Sequence, residues 1–414
     1  MRVMWICNIP VMRKKGTEES RAFGGWMTSL AKLLREHSDI ELTICYPQSE
    51  VQHFEREKHN GIGFYGFYVP KRTHYDKNVY FILKEIEEKI SPDIIHIFGT
   101  EFPHSFSAMK LNPYKTLISI QGLMSIYAKH YFIGVPASLA APVPPIFSGR
   151  IFNPIYGDMM ALKQRGQYEK ATIKRARYIT GRTEWDYVCA KNINSKAKYF
   201  KCNEVLRESF YNHEWRYEKC EKHSILISQS DYPVKGFHIF LKALIILQRK
   251  YSDIQVIVTG APLQTARCGS GTYADYIKKY IDFYHLGKII TFTGIQDEYQ
   301  MCQRYLKANV FVMPSLIENS PNSLGEAMIM GTPCVAANVG GINSLLEHGS
   351  EGLLYQVDAE YMMAYYIERI FEDQVLAKQL SYNAKNRAKR THDRERNVKE
   401  LLKVYSEIAK TIDD

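Results

Sequence analysis

Short runs of β-branched and other apolar residues alternate with stretches of helical period from the start of the chain. VMWIC (3–7), IELTICY (40–46), DIIHIF (93–98) and TLISI (116–120) read as buried strands, with GWMTSLAKLLREH (25–37) as a helix after the first. A second series runs through SILIS (224–228), IQVIVT (254–259), IITFT (289–293), VFVMP (310–314), PCVAA (333–337) and GLLY (352–355), each followed by a helix-like segment. This alternation predicts an α/β fold of parallel sheets with crossover helices, doubly wound and repeated in tandem. Between the series, residues 203–223 are charged and aromatic without a clear period, as expected of an interdomain connection. The expected boundaries are an N-terminal domain at 1–205, a linker at 206–222, a C-terminal domain at 223–385 and a C-terminal helix at 386–414 that is able to cross back to the first domain. The basic, amphipathic stretch from 376 to 412 predicts one or two helices packed along the body.

A length of 414 residues supports two domains of roughly 200 residues each. With 45% hydrophobic and 24% charged residues the chain is neither disordered nor fibrous. The formal charge of +10 favours anionic partners, without choosing among nucleic acid, an acidic membrane face and phosphorylated small molecules. Eight cysteines are scattered without a C-x-x-C pair, which fits structural thiols in a reducing cytoplasm. The N-terminus reads as a first strand rather than a signal peptide, so export is not expected. Residues 131–147 contain four prolines and are too short and broken for a membrane span; they read as a loop. Gly269-Ser-Gly271-Thr-Tyr-Ala274 fits G-x-G-x-x-A, but about ten residues separate it from the preceding strand, whereas a dinucleotide fingerprint follows its strand tightly.

Candidate chemistry concentrates in PSLIENSPNSLGEAMIMGTP (314–333), where Glu318 and Glu326 flank a polar knot. Ser323-Leu-Gly-Glu326 satisfies the S-x-x-E pattern of a capping box, in which Glu326 bonds back to the helix start. Alternatively, the amides of Ser323 and Leu324 at the positive end of that helix cradle a phosphate. Spacing leaves both open.

The stretch PSLIENSPNSLGEAMIMGTPCVAANVGG resembles the donor-site signature of retaining nucleotide-sugar glycosyltransferases of the GT-B fold, family 4: E-x7-E, a helix, then G-x-P-V/C-V-A and a Gly-Gly turn. GGWMTSLAKLL resembles that family's N-terminal glycine loop and helix, YPVKG its lysine loop, and Met313-Pro314-Ser315 and EHGSEGLL (347–354) fit as well. The resemblance implies two Rossmann-like domains facing across a cleft, with C-terminal helices packing back along the body. It implies that Glu326 binds the donor ribose, Glu318 approaches the donor sugar, the amides of Ser323 and Leu324 meet the diphosphate with Asn322 beside them at the donor, and Lys235 neutralises it. Gly25 would let backbone approach the diphosphate, and Gly294 and Ile295, in TGIQDEY, would face the base. No D-x-D and no Cys/His cluster at metal-ligand spacing is present, so the protein itself is expected to supply the charge, with no metal and no cofactor beyond the donor.

The chain departs from the family pattern in three places. Gln229 and Ser230 stand where an arginine is common, and remain candidate phosphate donors. Gln121 replaces a histidine that touches the donor sugar, with His104 in GTEFPH as a substitute or a solvated loop residue. The apolar segment 126–147 lies where the acceptor is usually recognised, which suggests a lipid-linked acceptor and peripheral contact with the cytoplasmic membrane face, or a buried loop. Arg182, in RTEWD, either meets an acceptor phosphate or pairs with Glu184 or Asp186. The expected activity is transfer of a sugar from a nucleoside diphosphate sugar to a saccharide acceptor in bacterial surface polysaccharide synthesis, with no nucleic-acid partner. An epimerase or phosphorylase on the same fold and a non-catalytic sugar-nucleotide or nucleic-acid binding protein are the alternatives.

Overall fold

The computed structural model describes residues 1–11, 25–140, 154–261, 263 and 272–413. They divide into two compact units: Met1–Ile126, Leu162–Arg207 and His392–Asp414 form the first, and Tyr127–Ala161 and Glu208–Thr391 the second.

The first unit is built on β1 (Arg2–Ile6), β2 (Glu41–Gln48), β3 (Phe54–His59), β4 (Ile62–Tyr68), β5 (Ile94–Phe98), β6 (Thr116–Ser119), β7 (Tyr178–Gly181) and β8 (Lys198–Lys201). Their order in the sheet is β3-β4-β2-β1-β5-β6-β7-β8. All neighbours are parallel except the β3–β4 hairpin. Every residue of β5 is buried, as expected where helices cover both faces of a parallel sheet. The hairpin closes at Asn60-Gly61, with φ of 47° and 72°, the pair of positive angles that a type I′ turn requires. The helix Gly25–His37 buries Met27, Leu30, Ala31 and Leu34, one face at helical spacing. The last helix, Arg394–Asp413, belongs to this unit: Val398, Leu401, Tyr405 and Ile408 enter the core that holds Val3 and Trp5. The Tyr405 hydroxyl accepts from Trp5 Nε1 at 3.0 Å and meets His96 Nδ1 at 2.6 Å.

The second unit carries β9 (Ser224–Ile227), β10 (Gln255–Thr259), β11 (Ile290–Gly294), β12 (Val310–Met313), β13 (Cys334–Ala337) and β14 (Leu353–Tyr355), all parallel, in the order β11-β10-β9-β12-β13-β14. Strand order reverses between β9 and β12. Such a switch point opens a crevice beyond the carboxyl ends of its two strands, and ligands of open α/β sheets bind there. The first unit has its own switch point between β1 and β5.

Some segments differ from the sequence expectation. Residues 208–223 pack onto the second unit: Phe210 and Trp215 are buried, and Trp215 Nε1 donates to the Ala308 carbonyl at 2.7 Å. Residues 127–140 also group with the second unit and include the short helix Ala137–Ala140; residues 141–147 lie outside the described residues, as do Gly269, Ser270 and Gly271 of the G-x-G-x-x-A match. The basic C-terminal stretch is two helices, Gln374–Thr391 and Arg394–Asp413. At the break, His392 Nδ1 and Asn397 Nδ2 both meet the carbonyl of Glu204, at 2.9 and 3.2 Å.

Candidate active site

Two loops of the second unit leave the switch point, one after β9 and one after β12, and backbone contact fixes them together. Gly236 has φ 67°, closing the turn Pro233–Lys235, and a Cβ at that position would collide with the Pro314 carbonyl oxygen. Leu316 N donates to the Val234 carbonyl at 2.8 Å. This clamp sets Lys235 Nζ 2.7 Å from Glu318 Oε1, with Ser315 Oγ donating to the same oxygen at 2.9 Å. The Gly340-Gly341 turn holds Glu318 from the other side: Gly341 N donates to the Glu318 carbonyl at 3.0 Å, and Gly340, at φ 53°, leaves no room for a Cβ against that oxygen.

Burial disfavours the Lys235 ammonium, but the Glu318 carboxylate outweighs it and holds the lysine above its ordinary pKa, so it is charged at neutral pH. Next to it in the chain, burial pushes the Asp231 carboxyl up, and Asp231 Oδ1 and Ser230 Oγ are buried without a hydrogen-bond partner. Gln229 is half-buried at the end of β9. At the end of β11, Gly294 has φ 71° with open space where a side chain would lie, and Ile295 follows it half-buried.

The helix Asn322–Met330 starts at a proline N-cap, Pro321, which offers no side-chain acceptor. The capping-box reading is therefore corrected: Ser323 lies inside the first turn rather than at the N-cap, and Glu326 is too far along the helix to reach back to it. Glu326 is buried and instead accepts from the Tyr305 hydroxyl at 3.2 Å, which also lies 3.1 Å from the Ser323 carbonyl. Of the two amides expected to meet a phosphate, that of Leu324 already donates to the Pro321 carbonyl at 3.1 Å. Among the described hydrogen bonds none is donated by the amides of Asn322 and Ser323, which stand at the positive end of the helix.

Four expected site residues lie in the first unit. Gly25 opens its helix where a Cβ would collide with the stem of Arg207, so the group it clears is a side chain of the same unit. Arg182 is buried and pairs with Glu204, while its guanidinium donates to the Ile120 carbonyl at 3.2 Å. This corrects the expected pairing with Glu184 or Asp186: its counter-charge comes from beyond β8, and Asp186 instead accepts from the Arg182 amide at 2.9 Å within a capping box. Gln121 donates Nε2 to the same Glu204 carboxylate at 2.7 Å. His104 is not a solvated loop residue; it is 3% exposed, and burial with the nearby Arg72 and Arg165 charges depresses its pKa to about 3. The sequence reading missed Ser315, Tyr305 and Asp231, of which only Ser315 carried a signal, as the third residue of Met313-Pro314-Ser315. Among the described residues no group of three or more His, Cys, Asp or Glu side chains is placed to hold a metal ion, and no helix is long and apolar enough to cross a membrane.

Residues 213–387, which contain this loop pair and helix, match the family Glycosyl transferases group 1. The alpha-D-kanosaminyltransferase of Streptomyces kanamyceticus is 27% identical over 150 residues, 36% of either chain, so the match spans about a third of that relative's length. Sucrose-phosphate synthase from Thermosynechococcus elongatus superposes with a TM-score of 0.74 at 16% identity, over 99% of this chain and 100% of that one. Anabaena HepE, solved in complex with UDP and glucose, superposes with a TM-score of 0.68 at 14% identity, over 97% and 99% of the two chains. The fold is that of the GT-B glycosyltransferases.

Proposed function

We propose that this glycosyltransferase moves a hexose-type sugar from a nucleoside diphosphate sugar to a saccharide acceptor, retaining the anomeric configuration and without a metal ion. The reading rests on one observation above the others: the charged Lys235, clamped by Gly236 against Pro314, belongs to the same loop pair that leads into the open amides of Asn322 and Ser323. As the glycosidic bond breaks, the leaving diphosphate gains negative charge, which the helix amides and the lysine, once drawn from Glu318, would stabilise. A charge-assisted hydrogen bond contributes roughly 1.5–3 kcal/mol and a helix N-terminus about 0.3–2 kcal/mol, so together they lower the barrier by several kcal/mol. Proximity supplies much of the remainder.

Glu326, oriented by Tyr305, would hold the ribose hydroxyls, and Glu318 would face the donor sugar once the diphosphate draws Lys235 away. On a front-face path, a phosphate oxygen of the donor takes the acceptor's proton, and no covalent enzyme nucleophile is needed. HepE with UDP and glucose supports a UDP-sugar as the first donor to try. A lipid-linked acceptor at the cytoplasmic membrane face, in bacterial surface polysaccharide synthesis, extends the family resemblance. The test is to incubate the protein with a panel of nucleoside diphosphate sugars and saccharide acceptors in the presence of a chelator. Product of the same anomeric configuration as the donor, by NMR, is the expected result. Inverted product, or dependence on a divalent ion, would overturn the retaining and metal-independent parts respectively, and a Lys235→Ala enzyme of wild-type activity would overturn the site.

A further inference from the structure

At the switch point of the first unit, the loop after β5 carries polar groups that the donor site does not use. Gly99 turns this loop at φ 89°, and Phe102 lies under two guanidinium groups, those of Arg72 and Arg165, at 5.0 and 4.2 Å from the ring centroid. His104 stacks on Phe102, with 5.9 Å between centroids and 10° between planes, and meets the edge of Phe67 at 5.8 Å. Arg72 Nε and Nη2 are buried without a hydrogen-bond partner, and so are both ring nitrogens of His104. Thr100 Oγ1 and Ser107 Oγ, on the same stretch of chain, are also buried and unpartnered.

Buried donors left unsatisfied are costly, and so many on and around one loop is unusual for a site that is only structural. Glu101, on the same loop, is not among their partners. Glu101 accepts from Asn8 Nδ2 at 2.8 Å and from Gly122 N at 3.1 Å, while Arg165 Nε reaches the Glu101 carbonyl at 2.6 Å. Nε and Nη2 are one edge of the guanidinium fork, the edge that grips two oxygens of one anion. A phosphate monoester offers a third oxygen for the imidazole N–H of His104 and a charge that answers Arg72.

We propose that Arg72 and His104, with the Arg165 charge close by, form a subsite for a phosphate monoester carried by the acceptor, so that the sugar is transferred onto a phosphorylated saccharide or polyol. This rests on the glycosyltransferase reading above.

The experiment uses the full chain. Inorganic phosphate is titrated calorimetrically into the wild type, Arg72→Gln and Arg72→Lys, with a nucleoside diphosphate titration as control. Transfer is then compared on acceptor pairs that differ by one phosphate. Expected are phosphate binding in the wild type, a loss of roughly ten- to a hundred-fold in Arg72→Gln, a smaller loss in Arg72→Lys, and unchanged nucleotide binding. The KM for phosphorylated acceptors should rise in parallel. Should Arg72→Gln not melt cooperatively, Arg72→Lys carries the test, since it keeps the charge and loses the fork.

Equal phosphate affinity in all three proteins would overturn the site. Arg72-dependent phosphate binding with no preference for phosphorylated over neutral acceptors would mean that the loop holds a free anion, which overturns the acceptor role. Equal preference for a carboxylate acceptor would overturn the phosphate assignment. Transfer to neutral acceptors at full rate defeats this inference and leaves the glycosyltransferase intact, whereas phosphate binding without turnover of any nucleotide sugar defeats the proposed function instead.

Discussion

Replacing Glu318 with Gln removes the carboxylate that holds Lys235 while leaving the shape of the loop and an oxygen for Ser315 Oγ. The two side chains are 15% and 8% exposed and 2.7 Å apart, so solvent screens the pair little. A hydrogen bond between charged partners contributes about 1.5–3 kcal/mol, and its loss should lower the melting temperature by roughly 3–12 °C, at about 2–4 °C per kcal/mol for a unit of this size. Ligand affinity should move the other way. On the proposed reading a diphosphate competes with Glu318 for Lys235 in the wild type, whereas in the variant the lysine is available and the repelling carboxylate is gone. Recovering about 1 kcal/mol of the pair's energy gives roughly five-fold tighter nucleoside diphosphate binding, while sugar transfer falls because the group facing the sugar is lost. Calorimetric titration with UDP, GDP and ADP, using whichever binds most tightly, measures this directly. An affinity unchanged or weakened in Glu318→Gln, together with unchanged affinity in Lys235→Met, would refute the idea that the two carboxylate and phosphate partners share one lysine.

Gly340→Ala should destabilise the chain by about 2–4 kcal/mol, since it combines a strained φ of 53° with a collision at the Glu318 carbonyl; a urea midpoint equal to the wild type would refute it. Tyr305→Phe should cost about 1–2 kcal/mol and weaken nucleotide binding several-fold by releasing Glu326, with titration and melting in parallel as the check; unchanged affinity would separate Glu326 from the ribose. Burial holds His96 and His104 at a pKa of about 3 and His238 and His392 at about 4, all neutral in the native state. Because the unfolded chain binds protons on these groups first, stability is lost as pH falls below about 6.5, by roughly 1–2 kcal/mol per histidine at pH 5. Glu169, pushed up to about 7 by burial, opposes this by releasing a proton on unfolding. Urea melts from pH 5 to 6.5 should therefore report net proton uptake on unfolding, and a pH-independent midpoint would refute the assignment.

Strands with continuous apolar runs, such as β5 and β12, were legible because burial on both faces demands that composition. The β3–β4 hairpin was not: FEREKH is mostly charged and β4 is interrupted by Gly63 and Gly66, so its Asn60-Gly61 turn was the stronger signal. Within the site, Lys235 and Glu318 were each legible from their motifs, but their pairing across 83 residues was not. It arises from the reversal of strand order between β9 and β12, which no local spacing encodes. The same limit explains the two misreadings. S-x-x-E suggested a cap because the pattern assumes where the helix begins, and Pro321 begins it earlier. Arg182 suggested a partner two or four residues away, yet Glu204 claims it, while Asp186 caps its own helix. Local spacing thus identifies charge partners only when both belong to one turn. For Lys235 the proposed role follows from this: an ion pair assembled from two distant loops holds its cation already paired, so the charge would pass to a ligand only when the ligand displaces the carboxylate.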